Sequence, residues 1–381
     1  MNEKLTNADI LAVSKGWDVN PARSLSLASS AYLDPMWLGV EREQIFQKSW
    51  QFLCHEEKLQ EPGSYVTTCV QGQSIVATRG WDGTLRAFYN VCKHRGHELL
   101  QGEGKIRKIV CPYHAWTYEL DGSFQEARQS RLMENFHPED FSLSSVCLEV
   151  FCHLVFVNLD TKALSLASKT ESLQDEIMGY APDLDKLTFG HRLTYSIKAN
   201  WKSVVDNFLE CYHCPIVHKD FCTLVEMDTY KVKTHGIYSS HIAKAGRSGN
   251  KAYSVEGARV TDHAVWYLWP NTTLMRYPGR GNFMVWRFIP TGPQKTYEEF
   301  DFFFETAHPT KEEMEAISYI DTVLQPEDIG LVESVQRGMQ TPAYNQGRYM
   351  IDQEGSGHSE HAVHHFHSLI IDAYRKACPT L

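Results

Sequence analysis

Two short motifs that each join a cysteine to a histidine restrict this chain more than any other feature of its sequence. The first is Cys92-x-His94, and sixteen residues separate it from the second, Cys111-x-x-His114. In extended backbone a Cys-x-His step places both side chains on one side, because side chains alternate with a period of two. Pro112 stiffens the second motif into a tight turn. Two such loops can hold a [2Fe–2S] cluster, with both thiolates on one iron and both imidazoles on the other.

The same four side chains could also surround a tetrahedral zinc ion. Their order, Cys-His followed by Cys-His, differs from the zinc pattern in which two cysteines precede two histidines. Gly96, Tyr113 and Trp116 also suit loops that pack closely around a cluster. We therefore expect iron and sulfide, with a reduction potential of about −150 to +300 mV.

A second group of metal-ligand types lies between Asn207 and His218. Glu210 and His213 are three residues apart, which places them on one face if the segment is helical. His213 and His218 would point about 140° away from each other on a continuous helix. Pro215 disfavours helix at the residue before it, so we expect the chain to turn and bring the two histidines together. Two imidazoles and one carboxylate on one face of Fe(II) leave positions open for dioxygen.

The cysteines and the net charge limit the kind of protein. In a reducing compartment the ten cysteines are expected to be buried apolar residues or metal ligands rather than disulfides. Cys211 and Cys214 have CxxC spacing, but no second CxxC accompanies them, which disfavours a zinc or redox motif. A net charge of −10 and a pI near 6.0 argue against nucleic-acid binding.

Neither the start of the sequence nor its most apolar stretch predicts a membrane segment. The sequence begins MNEKLTNADILAVSKGW, which lacks the basic-then-apolar layout of a signal peptide. The most apolar stretch, Val150 to Leu159, is too short to cross a bilayer. We therefore expect a cytoplasmic protein without membrane contact.

The periodicity predicts a β-rich first part and a mixed second part. Asp82-Gly83 and Asp121-Gly122 are hairpin turn signals in the first part. Helix starts are signalled by a capping box that begins at Thr310 and by Pro326 at a first helical position. Helical periodicity is found around 170–180 and at 201–213, 310–324, 327–338 and 360–377, and strand-like runs at 264–269, 283–289 and 297–305. This predicts an α+β protein, since helices are segregated from an antiparallel sheet.

At its metal motifs the chain resembles the Rieske non-haem iron oxygenases, the family of ring-hydroxylating dioxygenase alpha subunits. The stretches NVCKHRGHELL and IVCPYHAWTYELDG resemble that family's Rieske domain, and DNFLECYHC with His218 resembles its catalytic-iron motif. The resemblance implies a [2Fe–2S] cluster and a mononuclear Fe(II). The implied cluster ligands are Cys92, His94, Cys111 and His114. The implied domains are a lead-in at 1–49 that packs on the catalytic domain, a small all-β Rieske domain at 50–160, and a catalytic domain at 161–381.

The third iron ligand is implied by the resemblance alone. The family pattern Asp-x4-Glu-x2-Gln is matched by Asp328, Glu333 and Gln336 in PEDIGLVESVQRG. From the residues themselves, Asp328 would be an acidic residue at a helix N-terminus. Glu210, which stands in register with Asn207, matches the acid that couples the Rieske cluster of one subunit to the iron of its neighbour. This implies a homo-oligomer, which in this family is a trimer.

Within the family the chain is similar to the branch of carnitine, glycine betaine, proline betaine and choline monooxygenases. The similarity lies in DNFLECYHC, WPN at 269–271, PEDIGLVESVQRG and SEHAVHHFH at 359–367. It implies O₂-dependent hydroxylation and N-dealkylation of a small quaternary ammonium compound. Because the chain has no nicotinamide or flavin motif, electrons would come from NAD(P)H through a separate flavin/iron–sulfur reductase.

Aromatic side chains give independent support for a cationic substrate. Phe208, Trp266, Trp269 and Trp286 are predicted to line the pocket, where a desolvated trimethylammonium group gains about 2 kcal/mol per good ring contact. Each of these rings could instead belong to the core. Phe208 stands where the carnitine enzyme has tyrosine, so the resemblance implies the substrate class rather than carnitine itself.

Two other functions stay open at this point. One is a Rieske oxygenase that hydroxylates an aromatic carboxylate. The other is a Rieske electron carrier or ligand-binding protein without catalysis, against which the second iron motif counts. The histidines at 358, 361, 364, 365 and 367 resemble a metal site, but Val363, Phe366 and Ile370 mark the buried stripe of an amphipathic helix there. We expect His361, His364 and His365 to lie mainly off that stripe.

Overall fold

The computed structural model describes residues 5–246 and 260–378. The described residues form two compact units, one of residues 46–168 and one that combines the described residues before 46 with those after 168. None of the helices in the described part of the chain combines the length and apolar character that crossing a membrane requires.

The described residues form three antiparallel sheets and a set of mostly short helices. The strands of the smaller unit are β1 (Gln51–His55), β2 (Ser64–Val70), β3 (Gln73–Arg79), β4 (Leu85–Tyr89), β5 (Glu103–Lys105), β6 (Ile109–Val110), β7 (Thr117–Tyr118), β8 (Phe124–Glu126), β9 (Ser145–Phe151) and β10 (Leu154–Asn158). The strands of the larger unit are β11 (Thr188–Ile197), β12 (Lys231–His235), β13 (Tyr238–Lys244), β14 (Asp262–Leu268), β15 (Thr272–Arg276), β16 (Asn282–Gly292) and β17 (Lys295–Phe304). The α-helices are α1 (Asn7–Val13), α2 (Ser30–Leu33), α3 (Pro35–Gln44), α4 (Leu166–Thr170), α5 (Leu173–Tyr180), α6 (Trp201–Phe208), α7 (Cys214–Val217), α8 (Phe221–Leu224), α9 (Lys311–Tyr319), α10 (Gln325–Met339) and α11 (His361–Ala377).

The smaller unit is built from β-strands. Its larger sheet has the strand order β1-β10-β9-β4-β3-β2-β5, and a second sheet has the order β6-β7-β8. Both predicted hairpin turns are present, with φ of 75° at Gly83 and 83° at Gly122, a region that favours glycine. At Gly122 a Cβ atom would also collide with the ring of Phe88, so this turn requires glycine.

The larger unit has one seven-stranded sheet with helices packed against it. The strand order is β11-β17-β16-β15-β14-β13-β12. Along β17, Thr296, Glu298 and Phe300 are buried, whereas Lys295 is exposed and Tyr297 half-buried, because successive side chains point to opposite faces. Helix α6 contacts β16, β17 and α10 on one side of this sheet. Together the two units confirm the α+β prediction.

The helix that carries Asp328 begins differently from the sequence-based prediction. The capping box is present, since the Thr310 hydroxyl accepts a hydrogen bond from the N–H of Glu313 and the Glu313 carboxylate accepts one from the N–H of Thr310. Helix α9 then continues through a π-helical turn, Ile320–Leu324, directly into α10. Pro326 therefore lies inside a continuous helix rather than at a new helix start. The π turn changes the hydrogen-bond register just before Pro326, which has no N–H to donate.

A buried ion pair joins the lead-in segment to α6. The Lys202 Nζ atom lies 2.5 Å from the Glu41 carboxylate, and both side chains are 0% exposed. Trp201 Nε1 and the Tyr374 hydroxyl also donate to Glu41, at 2.7 and 2.6 Å. Helices α3, α6 and α11 are thus connected through one carboxylate.

The histidines of α11 bond to separate partners. His367 lies 2.8 Å from Asp206 and 2.5 Å from the Tyr349 hydroxyl. His364 lies 2.8 Å from the carbonyl oxygen of Asp18 and is buried. The expectation that His364 lies off the buried face was wrong, because residues of the lead-in cover that side of the helix.

Candidate metal centres

The two cysteine and histidine motifs lie on two loops of the smaller unit. The Cys92 loop follows β4, and the Cys111 loop connects β6 to β7. Each loop closes on itself, since Cys92 N–H donates to the carbonyl of residue 97 and Cys111 N–H to that of residue 116, both at 2.8 Å. Both cysteines are 2% exposed, whereas His94 is exposed and His114 half-buried. The thiols therefore lie inside and the imidazoles outside.

The geometry of these four residues fits a two-iron cluster better than a single zinc ion. The rings of His94 and His114 are 4.7 Å apart between centroids. In the described part of the chain, no three of the four motif residues have ligand atoms that all lie within 4.8 Å of one another. A tetrahedral zinc ion needs all four donors around one point. The Nδ1 atom of His114 is buried without a hydrogen-bond partner, as expected of an atom whose partner is a metal.

Tyr118 supports the cysteine side of these loops. Its hydroxyl lies 3.4 Å from the Cys92 sulfur and accepts a hydrogen bond from the N–H of Lys93 at 3.0 Å. Burial and the neighbouring Cys92 raise the pKa of the Tyr118 hydroxyl well above its usual range. The hydroxyl thus stays protonated and can donate to a thiolate, which raises the potential of a cluster at this position.

The second centre is formed by His213, His218 and Asp328. Their ligand atoms lie within 4.8 Å of one another, and this is the one such set of three among the described residues. The Nε2 atom of His218 lies 2.8 Å from Asp328 Oδ1, and that of His213 lies 3.6 Å from the same oxygen. Two imidazoles and one carboxylate converging on one point match the facial triad of non-haem Fe(II) sites.

The other ring nitrogen of each histidine faces a second carboxylate. The Nδ1 atom of His213 lies 2.5 Å from Glu210 Oε1, and that of His218 lies 2.7 Å from Glu327 Oε2. Such carboxylates hold the imidazole in one orientation and one tautomer. Glu327 was not among the site residues predicted from the sequence, although its position directly before a candidate ligand could have suggested it.

The imidazoles and carboxylates of this centre stabilise one another's charged forms. Burial lowers the pKa of His213, but hydrogen bonds to Asp328 and Glu210 outweigh it and raise the pKa to about 9. Burial acts to raise the pKa of Asp328, but its hydrogen bonds to His213 and His218 outweigh burial and lower it. A divalent ion would take the place of the protons on the imidazoles.

Glu210 and His213 are close together although they do not share a helix face. Helix α6 ends at Phe208, and Pro215 lies in the first turn of the short helix α7 rather than ending a longer one. Glu210 Oε2 accepts hydrogen bonds from the N–H groups of Tyr212 and His213, so its carboxylate caps the turn that leads into α7. The prediction that the helix continues to residue 213 was therefore wrong, since it ends at Phe208. His213 and His218 nevertheless come together as predicted, with ring centroids 5.0 Å apart.

A disulfide joins Cys211 to Cys214 on either side of this turn. The expectation that the chain has no disulfides was therefore wrong for this pair. The CxxC spacing was noted in the sequence, and the turn after α6 brings the two Cα atoms to 4.9 Å, within the usual range for a disulfide. His213 thus lies inside a covalently closed loop.

A cavity that is open to solvent lies beside the His213, His218 and Asp328 centre. Asn207 lines it, and its Nδ2 atom lies 3.5 Å from His213 Nε2. Phe208 also lines it, with ring centroids 5.5 Å from Trp286 and 5.6 Å from Phe288. The predicted pocket residues Phe208 and Trp286 are therefore brought together next to the candidate iron site.

Trp266 and Trp269 do not line this cavity. His263 and Val265 of β14 line it, so Trp266, one residue further, points to the other face of the sheet, where its indole donates to Glu176 at 3.1 Å. Trp269 lies beyond the end of β14 and packs against Phe366 of α11. Strand periodicity applied from His263 would have excluded Trp266.

The cavity also contains polar groups that the sequence did not single out. His241 and His263 line it, and burial lowers the pKa of His241 to about 3 and that of His263 to about 4. Both imidazoles are therefore neutral. Glu298 lines the cavity as well and is 3% exposed.

Fold and site together define a Rieske non-haem iron oxygenase. Residues 49–137 match the family model described as Rieske [2Fe-2S] domain, and residues 184–376 match that described as ring hydroxylating alpha subunit, catalytic domain. The chain belongs to the family of ring-hydroxylating oxygenase alpha subunits. Its cofactors are accordingly a Rieske [2Fe–2S] cluster and a mononuclear iron.

Named relatives cover nearly the whole chain. It is 38% identical to the carnitine monooxygenase oxygenase subunit of Escherichia coli (strain K12), over 93% of this chain and 96% of that protein. It is 34% identical to the chloroplastic choline monooxygenase of Spinacia oleracea, over 89% of this chain and 76% of that protein. A solved structure of a quaternary ammonium Rieske monooxygenase superposes with a TM-score of 0.88 at 34% identity, covering 98% of this chain and 99% of that one. A naphthalene 1,2-dioxygenase from Rhodococcus sp., at 21% identity over 97% of this chain and 98% of that one, shares the fold with a TM-score of 0.80.

Proposed function

We propose that this chain is the oxygenase component of a two-component monooxygenase that acts on a small quaternary ammonium compound. The observation that carries the proposal is the aromatic cavity beside His213 and Asp328, in which Phe208 contacts Trp286 and Phe288. A trimethylammonium group on such ring faces gains about 2 kcal/mol per good contact when it is desolvated. Similar proteins are named for carnitine and choline oxidation, and a similar solved structure contains L-carnitine.

Separate residues hold the two metal groups in this proposal. The mononuclear iron would be held by the imidazoles of His213 and His218 and the carboxylate of Asp328. When bound, the cluster and the iron supply electron transfer and the activation of dioxygen. The Asn207 amide lies 3.5 Å from the His213 Nε2 atom, so Asn207 would line the iron site from the cavity side. The cluster ligands are Cys92, His94, Cys111 and His114.

The proposed reaction inserts one oxygen atom into a C–H bond next to the quaternary nitrogen. The second oxygen atom of O₂ leaves as water, which consumes two electrons and two protons. The product is a carbinolamine: it loses its O–H proton as the carbonyl forms, and its C–N bond breaks to release a tertiary amine. The electrons come from NAD(P)H through a separate flavin and iron–sulfur reductase, since the chain carries no nicotinamide or flavin motif.

Glu210 is the proposed link between the two centres. Its Oε1 atom faces His213, and a carboxylate with its several lone pairs can accept a further hydrogen bond from a second imidazole. His94 is exposed and available to such a partner in a neighbouring subunit. A head-to-tail contact of this kind closes as a ring, and we propose a homotrimer.

Substrate-dependent O₂ consumption tests the proposal. The holoenzyme with its reductase and NAD(P)H is given L-carnitine, γ-butyrobetaine, glycine betaine, choline and benzoate in turn. We expect consumption with at least one quaternary ammonium compound, with one aldehyde and one amine formed per O₂. His213→Ala and Asp328→Ala should abolish this while the cluster absorption stays. Consumption with benzoate alone would favour the aromatic carboxylate alternative, and a protein with cluster iron only would be an electron carrier.

A further inference from the structure

Glu298 occupies the cavity wall in the middle of the aromatic residues. It lies on β17, directly paired with Phe288 of β16. Directly paired residues of an antiparallel sheet share a face, so the Glu298 carboxyl lies beside the Phe288 ring that faces Phe208. The neighbouring cross-strand pair on this face is Trp286 with Phe300, whose ring centroids are 3.6 Å apart. The carboxyl is thus the acidic member of an otherwise aromatic wall.

Within the described residues this carboxyl has no positively charged partner. Glu298 is 3% exposed, and its Oε2 atom is buried without a hydrogen-bond partner. The acidic residues beside it on β17 differ, since Glu299 pairs with Arg287 and Asp301 pairs with Arg192 at 2.5 Å. These two point to the opposite face of the sheet. Of these three acidic side chains, only the one on the cavity side of the sheet therefore lacks a positively charged partner among the described residues.

A buried acid without a partner is costly when it is charged. Burial raises the pKa of Glu298 to about 8, and the nearby Asp328 carboxylate adds to this. An iron bound to Asp328 would remove the effect of the Asp328 charge on the pKa of Glu298. The larger effect, which is that of burial, would remain. A cation placed in the cavity would favour the charged form of the carboxyl and offset its desolvation.

The chemistry of this wall suits a cation that has no hydrogen to donate. Ring faces and a carboxylate attract positive charge without requiring a directed hydrogen bond. A quaternary nitrogen offers its charge through methyl groups and can satisfy both. We propose that the Glu298 carboxylate pairs with the quaternary nitrogen of the substrate and selects it over an uncharged molecule of the same shape. This inference rests on the proposed function, because it assigns a recognition residue for that substrate class.

The test compares a cation with its carbon isostere. γ-Butyrobetaine and 5,5-dimethylhexanoate differ only in a nitrogen that is replaced by carbon. Binding of each to the anaerobic holoenzyme is measured by calorimetry for the wild-type protein and for Glu298→Gln, which keeps the shape and removes the charge. We expect Glu298→Gln to weaken γ-butyrobetaine binding by roughly tenfold to a hundredfold and to change 5,5-dimethylhexanoate binding less than about twofold.

Control variants separate recognition from damage to the fold. Glu299→Gln removes a charge from the opposite face of the same strand and should change the preference for the cation less than about twofold. Glu298→Met is a second uncharged variant for the case that glutamine is not tolerated. Iron content and cluster absorption verify that each variant is assembled.

Each outcome decides between the two proposals. Equal losses for both ligands in the Glu298 variants, or an unchanged preference, would overturn the role of Glu298 and leave the proposed function intact. A Glu298-dependent preference for the cation without O₂ consumption by any quaternary compound would support the inference and contradict the proposed function. A wild-type protein that binds neither cation nor isostere would refute the cation site.

Discussion

The Gln336 side chain accepts a hydrogen bond from the backbone N–H of Asn200 at 2.7 Å. Glu333, on the same helix, accepts one from the N–H of Lys198 at 3.0 Å. These two bonds join α10 to the segment that enters α6. Because Asp328 lies on α10 and His213 follows α6, the bonds set the relative position of the third candidate iron ligand.

We expect Gln336→Leu to lower the mononuclear iron content and to leave the cluster unchanged. The buried Asn200 N–H would lose its partner, at a cost of about 1–3 kcal/mol. Iron and acid-labile sulfide are measured per chain. Gln340→Leu, at the exposed residue that directly follows α10, is the control and should keep full iron. Normal iron content in Gln336→Leu would show that these bonds do not position Asp328.

Glu327→Ala should weaken mononuclear iron binding about tenfold to a hundredfold. Glu327 Oε2 lies 2.7 Å from the Nδ1 atom of His218, so its loss frees the ring to rotate. Competition with a chelator of known affinity gives the iron affinity. Glu312→Ala at the exposed start of α9 is the matched control. An unchanged affinity in Glu327→Ala would remove this carboxylate from the metal site.

Glu210→Asp and Glu210→Gln should keep both metal groups and turn over slowly. Aspartate withdraws the carboxylate by one methylene, and glutamine removes the charge that faces His213. The cluster should reduce normally and reoxidise slowly with substrate and O₂, as followed by stopped-flow absorption. Wild-type reoxidation in Glu210→Gln, or a fully active monomer, would contradict the bridging role.

Alkylation without reductant should leave Cys211 and Cys214 unmodified. Their disulfide closes a four-residue loop around His213 and would contribute about 2 kcal/mol to the free energy of unfolding in the chain-entropy model. Peptide mapping identifies the modified cysteines, and exposed Cys69 serves as the internal positive control. Alkylation of both residues in the native protein would show that the pair is reduced.

Glu41→Gln should destabilise the protein by about 3–5 kcal/mol, because it leaves the charge of Lys202 buried and unpaired. The double variant with Lys202→Met should recover much of this loss. Chemical denaturation of both gives the free energies of unfolding. Glu43→Gln, at an exposed position of α3, is the control. A loss below about 1 kcal/mol in Glu41→Gln would mean that this pair does not hold the lead-in in place.

Local sequence patterns determined several elements correctly. The hairpin turns at Gly83 and Gly122 and the capping box at Thr310 follow from backbone preferences that act over a few residues. The α+β class follows from the periodicity in the same way. At Pro326 local reasoning failed, since this proline lies inside a continuous helix because the preceding turn is π-helical.

By itself the sequence determined which residue types can hold metal, since the spacing of Cys92 to His94 and of Cys111 to His114 is short enough for chain geometry to limit the outcome. Only the tertiary structure decided which distant groups surround the second centre. His218 and Asp328 are 110 residues apart in the chain and 2.8 Å apart in space. Glu298 and Glu299 are consecutive glutamates on β17. They differ in environment because only Glu298 lies on the face that β17 turns towards the cavity. The physical reason is that sheet faces and helix packing assign an environment to each side chain, and charge acts according to that environment rather than to position in the chain.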